Sequence, residues 1–205
     1  MSAGTKVRLL NEAETLIRTR GYAAFSYADL SERVGIRKAS IHHHFPTKAE
    51  LGGALIDGYL VKFENALQTI LVEEKSAGAR LRRYVDFFID SMSNDMLPLC
   101  GALSAEMSVL PKSLQGRVRY FFELHLSWLE RVVGAGIAAK ELRGDIDEKP
   151  AATLILSALE GASLVAWATG DASVIERIAQ HLVADLEKAI SRSRKRVAEA
   201  VGSSN

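Results

Sequence analysis

The sequence predicts an all-α protein in which a small helix-turn-helix head is joined by one long helix to a larger helical body. Three observations carry this expectation. Apolar residues recur at three- and four-residue spacing along most of the chain, without the strict alternation of strands. Four prolines in 205 residues leave long stretches free to run as helix. The run from Gly35 to Lys48 reads as the turn and second helix of a helix-turn-helix, apolar on one side and basic or hydroxyl-bearing on the other.

The elements follow in order. Val7, Leu10, Ala13, Leu16 and Ile17 share one face of a helix over 5–20, which Gly21 ends. Ser26 with Asp29 has the form of a capping box and opens a second helix. That helix ends at Val34, because Gly35 tolerates the positive φ that a helix C-terminus favours. After a turn of a few residues comes a third helix. Ile36, Ile41 and Phe45 point inward from it, while Arg37, Lys38, Ser40, His42 and His43 point out, all able to donate to phosphates or base edges. Such a helix can lie in the major groove of DNA.

Thr47-Lys48-Ala49-Glu50 is a full capping box and starts a helix running to about Glu74, a rigid rod between head and body. Helices near 79–94, 101–109, 113–141, 148–169 and 172–194 make up the rest. Pro98, Pro111, the Gly144-Asp145 turn, Pro150 and Gly170-Asp171 supply their breaks and first turns. The expected division is a head over 1–50, a body over 51–196 and a disordered Gly-Ser tail over 197–205.

Composition fits an ordinary soluble protein. With 48% apolar residues the chain can bury a substantial core as one domain or two small ones. Its longest apolar stretches, such as Ala151 to Ala158, are too short to span a bilayer, and the N-terminus lacks the apolar core of a signal peptide. A cytoplasmic protein with no membrane partner is expected. One cysteine, Cys100, excludes an internal disulfide framework. Net charge is only +1 but unevenly placed: residues 1–51 hold eight Lys/Arg against five Asp/Glu, and the remainder 18 against 20. A basic head on a slightly acidic body suits a protein that meets phosphate at one end.

Gly21-Tyr22, Phe25-Ser26-Tyr27-Ala28-Asp29-Leu30, Val34-Gly35-Ile36, Ser40-Ile41-His42-His43-His44-Phe45 and Lys48-Ala49-Glu50-Leu51 together resemble the DNA-binding head of the tetracycline-repressor (TetR) family of bacterial regulators. Two departures are visible: Arg37 stands where many members have a small polar residue, and His42 where many have Tyr. The resemblance implies a homodimeric, nucleoid-associated regulator that binds a palindromic operator in double-stranded DNA. It implies further a repressor released by a small-molecule effector. The DNA-contacting set expected is Ser26, Tyr27, Arg37, Lys38, Ala39, Ser40, His42, His43, Thr47 and Lys48, with Lys48 well placed for a phosphate.

The body carries two further candidate sets. Tyr84, Phe88 and Met92 form one stripe, and Phe121, His125 and Trp128 another, with Leu103 and Met107 near them in sequence. By default these are core. Family members hold small molecules among their body helices, so the same residues are candidates for an apolar effector pocket with His125 as its polar handle. The last two helices show apolar faces that the body cannot easily cover: Ile155, Leu159, Ala162 and Ala166, then Ile175, Ile178, Leu182 and Leu186. Two such helices per subunit can form a four-helix bundle across a two-fold axis.

No catalytic residue, cofactor or metal is expected. The chain lacks a glycine-rich phosphate loop, metal-ligand spacing, and a nucleophile with a base beside it. Helix geometry turns successive side chains by about 100°, so His42 and His44 point to nearly opposite sides and cannot share an ion with His43. Two alternatives stay open: a DNA-binding or architectural factor without a ligand, and a redox or electrophile sensor based on Cys100.

Overall fold

The computed structural model describes residues 2–93 and 96–202, with side chains from Gly4 to Met92 and from Met96 to Glu187. Nine helices run along the described residues: α1 (Ser2–Arg20), α2 (Tyr27–Val34), α3 (Lys38–His44), α4 (Lys48–Glu73), α5 (Ala77–Ser93), α6 (Leu99–Ser104), α7 (Lys112–Ala138), α8 (Glu148–Thr169) and α9 (Ser173–Gly202). The all-α expectation holds, and most boundaries fall within a few residues of those expected. The sixth helix is shorter, giving way to turns through Leu110. α9 runs on to Gly202, through the first part of the segment expected as a disordered tail; residues 203–205 lie outside the described residues. The cluster Arg192, Arg194, Lys195 and Arg196, expected from sequence to complement the C-terminal dipole of the last helix, has its side chains outside the described ones.

The chain divides into two compact units, neither of which is continuous in sequence. One comprises residues 1–65 and 94–124, the other 66–93 and 125–205. The boundary expected near residue 50 falls inside α4, whose first part belongs to the same unit as the head.

In the first unit, Leu9, Ala13, Leu16 and Ile17 of α1, Leu30 and Val34 of α2, Ile41 of α3 and Leu51 of α4 are buried together with Phe25 and Phe45. α7 is fastened along α4 by polar contacts. Arg117 donates to both oxygens of Asp57 at 2.7 and 3.0 Å, and the Tyr120 hydroxyl donates to Glu64 at 3.0 Å. Leu114 lies so close to α4 that a Cβ on Gly52 would stand 2.9 Å from its Cδ1.

In the second unit, α5, α8 and α9 pack on one another around Leu81, Tyr84, Phe88, Trp128, Leu159 and Ile175. Glu141 accepts from the Ala77 N–H at 2.6 Å, and Arg143 donates its backbone N–H to the Leu186 carbonyl at 2.8 Å. These bonds hold the turn after α7 against the start of α5 and against α9.

α8 departs from expectation in two ways. It is long and apolar enough, by length and composition, to cross a membrane, although its apolar runs are individually short. Its periodic stripe of Ile155, Leu159, Ala162 and Ala166 is buried inside the unit, as are Ile175 and Leu186 of α9; only Ile178 and Leu182 of the expected interface set are half-buried. The reason is that α8 is apolar on both sides. Its inner side packs against α5 and α9, and the outward side presents Leu154, Leu164, Val165 and Trp167.

Candidate nucleic-acid interface

The turn between α2 and α3 is built by local hydrogen bonds. Gly35 takes φ +69°, and the N–H groups of Gly35 and Ile36 both reach the Ser31 carbonyl, at 2.9 and 3.2 Å. The Ser31 hydroxyl answers by donating to the Ile36 carbonyl at 2.5 Å. α1 steadies the same corner: Arg8 donates to the Val34 carbonyl at 2.8 Å, and Arg33 pairs with Glu12 at 2.9 Å. α3 follows after three residues. Arg37 occupies its N-cap without a side-chain capping bond, so the guanidinium remains on the surface.

α3 is anchored from beneath and bare above. Ile41 and Phe45 are buried, while Arg37, Lys38, Ala39, Ser40, His42 and His43 are exposed, together with Thr47 before α4. A helix of seven residues with its underside fixed and its outer side basic can present donors to phosphates and base edges. His44 is half-buried, its ring centroid 5.6 Å from that of His43. Among the described residues no group of three or more His, Cys, Asp or Glu is placed to hold a metal ion.

Three of the expected DNA-contacting side chains make hydrogen bonds within the head, Ser26 from an exposed position and Tyr27 and Lys48 from half-buried ones. Ser26 closes the capping box of α2: its hydroxyl accepts from Ala28 N–H at 3.1 Å and donates to Asp29 at 2.6 Å. The donation from Ser26 holds the Asp29 carboxyl below its ordinary range. Tyr27 gives its hydroxyl hydrogen to the Phe45 carbonyl at 2.8 Å, buttressing the end of α3; burial, then Glu50 and Tyr22, push it up to about 12. Lys48 turns inward. Its Nζ donates to the Phe25 carbonyl at 2.5 Å and lies over the rings of Tyr22 and Phe25, 4.5 and 4.3 Å from their centroids. Burial lowers its pKa, against the pull of Glu106 and Asp29. Lys48 thus cements the head, and sequence spacing alone could not show which way so long a side chain would swing.

Sequence reasoning missed Glu106. In the turn after α6 its carboxylate accepts the backbone N–H groups of Tyr22 and Ala23, each at 2.7 Å, just past the end of α1. Arg18 makes a parallel tie, donating to the Leu97 carbonyl at 2.7 Å. Only the tertiary fold brings together residues more than seventy positions apart.

The body residues singled out by sequence fall in different units. Leu103, Met107 and Phe121 belong to the first, where Phe121 packs on Phe63 and Tyr59 at centroid distances of 5.0 and 5.6 Å. Tyr84, Phe88, Met92, His125 and Trp128 belong to the second. There Trp128 stacks on Tyr84 at 5.3 Å and donates its indole N–H to the Leu67 carbonyl at 3.3 Å. Tyr84 is hydrogen-bonded to Nδ1 of His125, and burial depresses the His125 pKa to about 3, so the imidazole is neutral. A separate groove of about 350 Å³ runs between α5 and α9, floored by Val85, Ile89, Ala179 and Val183 and edged by Arg82, Glu176 and Glu187. Cys100 is fully buried in α6, which denies an oxidant access to its thiol.

Comparison with known proteins gives this geometry its context. The profile of bacterial regulatory proteins, tetR family, matches residues 9–55, and that of the tetracyclin repressor-like C-terminal domain matches 77–182. A TetR-family transcriptional regulator from Agrobacterium tumefaciens of known crystal structure is 32% identical, with TM-score 0.86 over 90% of this chain and 98% of that one. An HTH-type transcriptional regulator from the lacX 3' region of Lactococcus lactis subsp. lactis is 26% identical over 90% of this chain and 94% of its own. Two others are each 22% identical: the nucleoid occlusion factor SlmA of Marinomonas sp., over 76% of this chain and 79% of its own, and the HTH-type transcriptional repressor DhaR of Mycobacterium sp., over 79% and 83%. Both halves of the chain are therefore accounted for, and it belongs to the TetR family of DNA-binding transcriptional regulators.

Proposed function

We propose that the protein is a dimeric cytoplasmic repressor that grips a palindromic operator with α3 of each protomer and releases it when an apolar effector binds the body. The observation that carries the reading is the bare outer side of α3. Arg37, Lys38, Ser40, His42 and His43 stand exposed on a helix whose underside is held by Ile41, Phe45 and the Tyr27 hydroxyl. Dimerisation is supported by the outward side of α8, where Leu154, Leu164 and Val165 are at least half exposed. Half-buried Ile178 and Leu182 of α9 add to the apolar area. A second copy meeting these helices about a two-fold axis would cover both. About 3 kcal/mol of coupling between effector and operator would change DNA affinity more than a hundredfold. DhaR bears the name of a repressor, which supports that sign of control.

A second reading is a DNA-binding factor without an effector. It is favoured by the mutual packing of Tyr84, Phe88, His125 and Trp128, whose ring centroids lie 5.3 to 6.4 Å apart, and by the likeness to a nucleoid occlusion factor. A thermal-shift screen of hydrophobic ring-bearing compounds, repeated on the operator complex, separates the two. A compound at a hundred times its dissociation constant raises stability by about 2.7 kcal/mol. The repressor reading expects such a compound to loosen DNA as well; a screen in which none does both leaves the second reading standing.

A further inference from the structure

We infer that His42 reads the base sequence as a hydrogen-bond acceptor, selecting an exocyclic amino group in the major groove. This rests on the reading of α3 as the DNA-contacting helix and adds the chemistry of one position. The His42 ring is exposed, yet it is not free to choose its tautomer. Nδ1 lies 3.1 Å from the carbonyl oxygen of Pro46. A carbonyl can only accept, so Nδ1 carries the ring hydrogen. The neutral form of the ring has one N–H, so in that form, with Nδ1 bonded to Pro46, Nε2 holds the lone pair.

A second contact restrains the ring. It meets Tyr27 edge to face, with centroids 4.9 Å apart and planes at 63°. Tyr27 is itself pinned through its hydroxyl to the Phe45 carbonyl. His42 is thus held from α2 on one side and from the end of α3 on the other, with Nε2 as its remaining polar atom.

That polarity decides what the residue can meet. Phosphate oxygens are acceptors, and so are guanine O6 and N7 and thymine O4; each would set a lone pair against the lone pair of Nε2. Only adenine N6 and cytosine N4 present N–H groups in the major groove. Every base pair has one such amine, on one strand, so the selection is seen as A or C against T or G at a single position of each half-site. A tyrosine at this place, as in many relatives, carries a hydroxyl that both donates and accepts. It could bond a phosphate or either class of base and would not impose the same choice. His43, one residue on, meets the ring of His44 instead.

The test is selection of bound duplexes from a library randomised over a half-site, with the full-length protein at pH 8, in parallel with His42→Phe. The wild type is expected to enrich a half-site with one position restricted to A or C. The phenylalanine variant should relax that position and leave the others as they were; it keeps an aromatic ring against Tyr27, and a melting curve checks that it is folded under the binding conditions. Replacing adenine there by purine, or cytosine by 2-pyrimidinone, removes only the amine; binding should fall about tenfold for the wild type and not at all for the variant. If the variant enriches the same half-site, or no wild-type position excludes T and G, the inference is overturned while the DNA-binding reading stands. If the wild type enriches no sequence, both fall together.

Discussion

The carboxylate of Glu106 fills the space that a side chain on Gly21 would occupy, and from there accepts the N–H groups of Tyr22 and Ala23 at 2.7 Å each. Gly21 has φ +94°, a conformation that L side chains rarely adopt, and ends α1. The absence of a Cβ thus serves backbone and partner at once. Gly21→Ala should lower unfolding stability by about 2 kcal/mol, part from the left-handed backbone and part from displacing the carboxylate. Glu106→Ala should cost a similar amount and Glu106→Gln less, since the amide keeps one acceptor. Urea unfolding midpoints measure all three; equal midpoints would show that the tie carries no energy.

Lys48 and Lys38 should separate cleanly. Lys48 is spent on the Phe25 carbonyl and two aromatic rings, so Lys48→Ala should destabilise the head by about 1–2 kcal/mol. Its salt dependence of DNA binding should be near that of the wild type. Lys38 is exposed on α3, and Lys38→Ala should leave stability unchanged while weakening binding to the cognate duplex more than to scrambled DNA. Thermal melts and binding titrations at several salt concentrations decide.

These two lysines mark where sequence is informative and where it stops. The turn at Gly35, the capping box of Ser26 and Asp29, and the buried Ile41 and Phe45 were legible because short-range patterns determine them. Lys48 was not: flexible side chains choose between solvent and rings that only the fold brings near. α8 was misjudged in register for another reason. When a helix is apolar all round, periodicity cannot tell which side its own subunit covers, and here Ile155, Leu159, Ala162 and Ala166 went inward. Glu106 had no local signal at all, since its partners lie more than eighty residues away.

Acid stability should depend on two groups acting in opposite senses. Burial depresses the His125 pKa to about 3, so below pH 6.5 the unfolded chain takes a proton that the folded one refuses, and stability falls with pH. Down to pH 5 that loss approaches about 2 kcal/mol. Burial pushes Glu160 up to about 7, so between pH 7 and 4.5 the folded chain holds the extra proton and gains stability as the pH falls. Glu160→Gln should therefore steepen the acid loss, and His125→Phe should flatten it, whatever either does to stability at pH 8. Parallel slopes for all three proteins in urea unfolding between pH 7 and 5 would refute the assignment.

The outward side of α8 should behave as an interface. Leu164 is 52% exposed and Val165 50%, so Leu164→Glu should leave the protomer folded but monomeric and weaken operator binding from a distance. Leu159, fully buried, should act differently: Leu159→Ala should cost about 2–5 kcal/mol of stability without a specific effect on assembly. Sedimentation at micromolar concentration distinguishes them, and a wild type that sediments as a monomer would rule this face out as an interface between copies.

The central claim is that α3 is the DNA-reading element of a regulator, and direct binding tests it most simply. Full-length protein is titrated onto labelled duplexes covering the region upstream of its own gene, and onto scrambled duplexes, in parallel with Lys38→Ala and His43→Ala. The expected result is one upstream fragment bound at least about a thousandfold more tightly than scrambled DNA, with both variants losing more affinity on that fragment than on the scrambled control. Equal binding of wild type and variants to every duplex would contradict the claim.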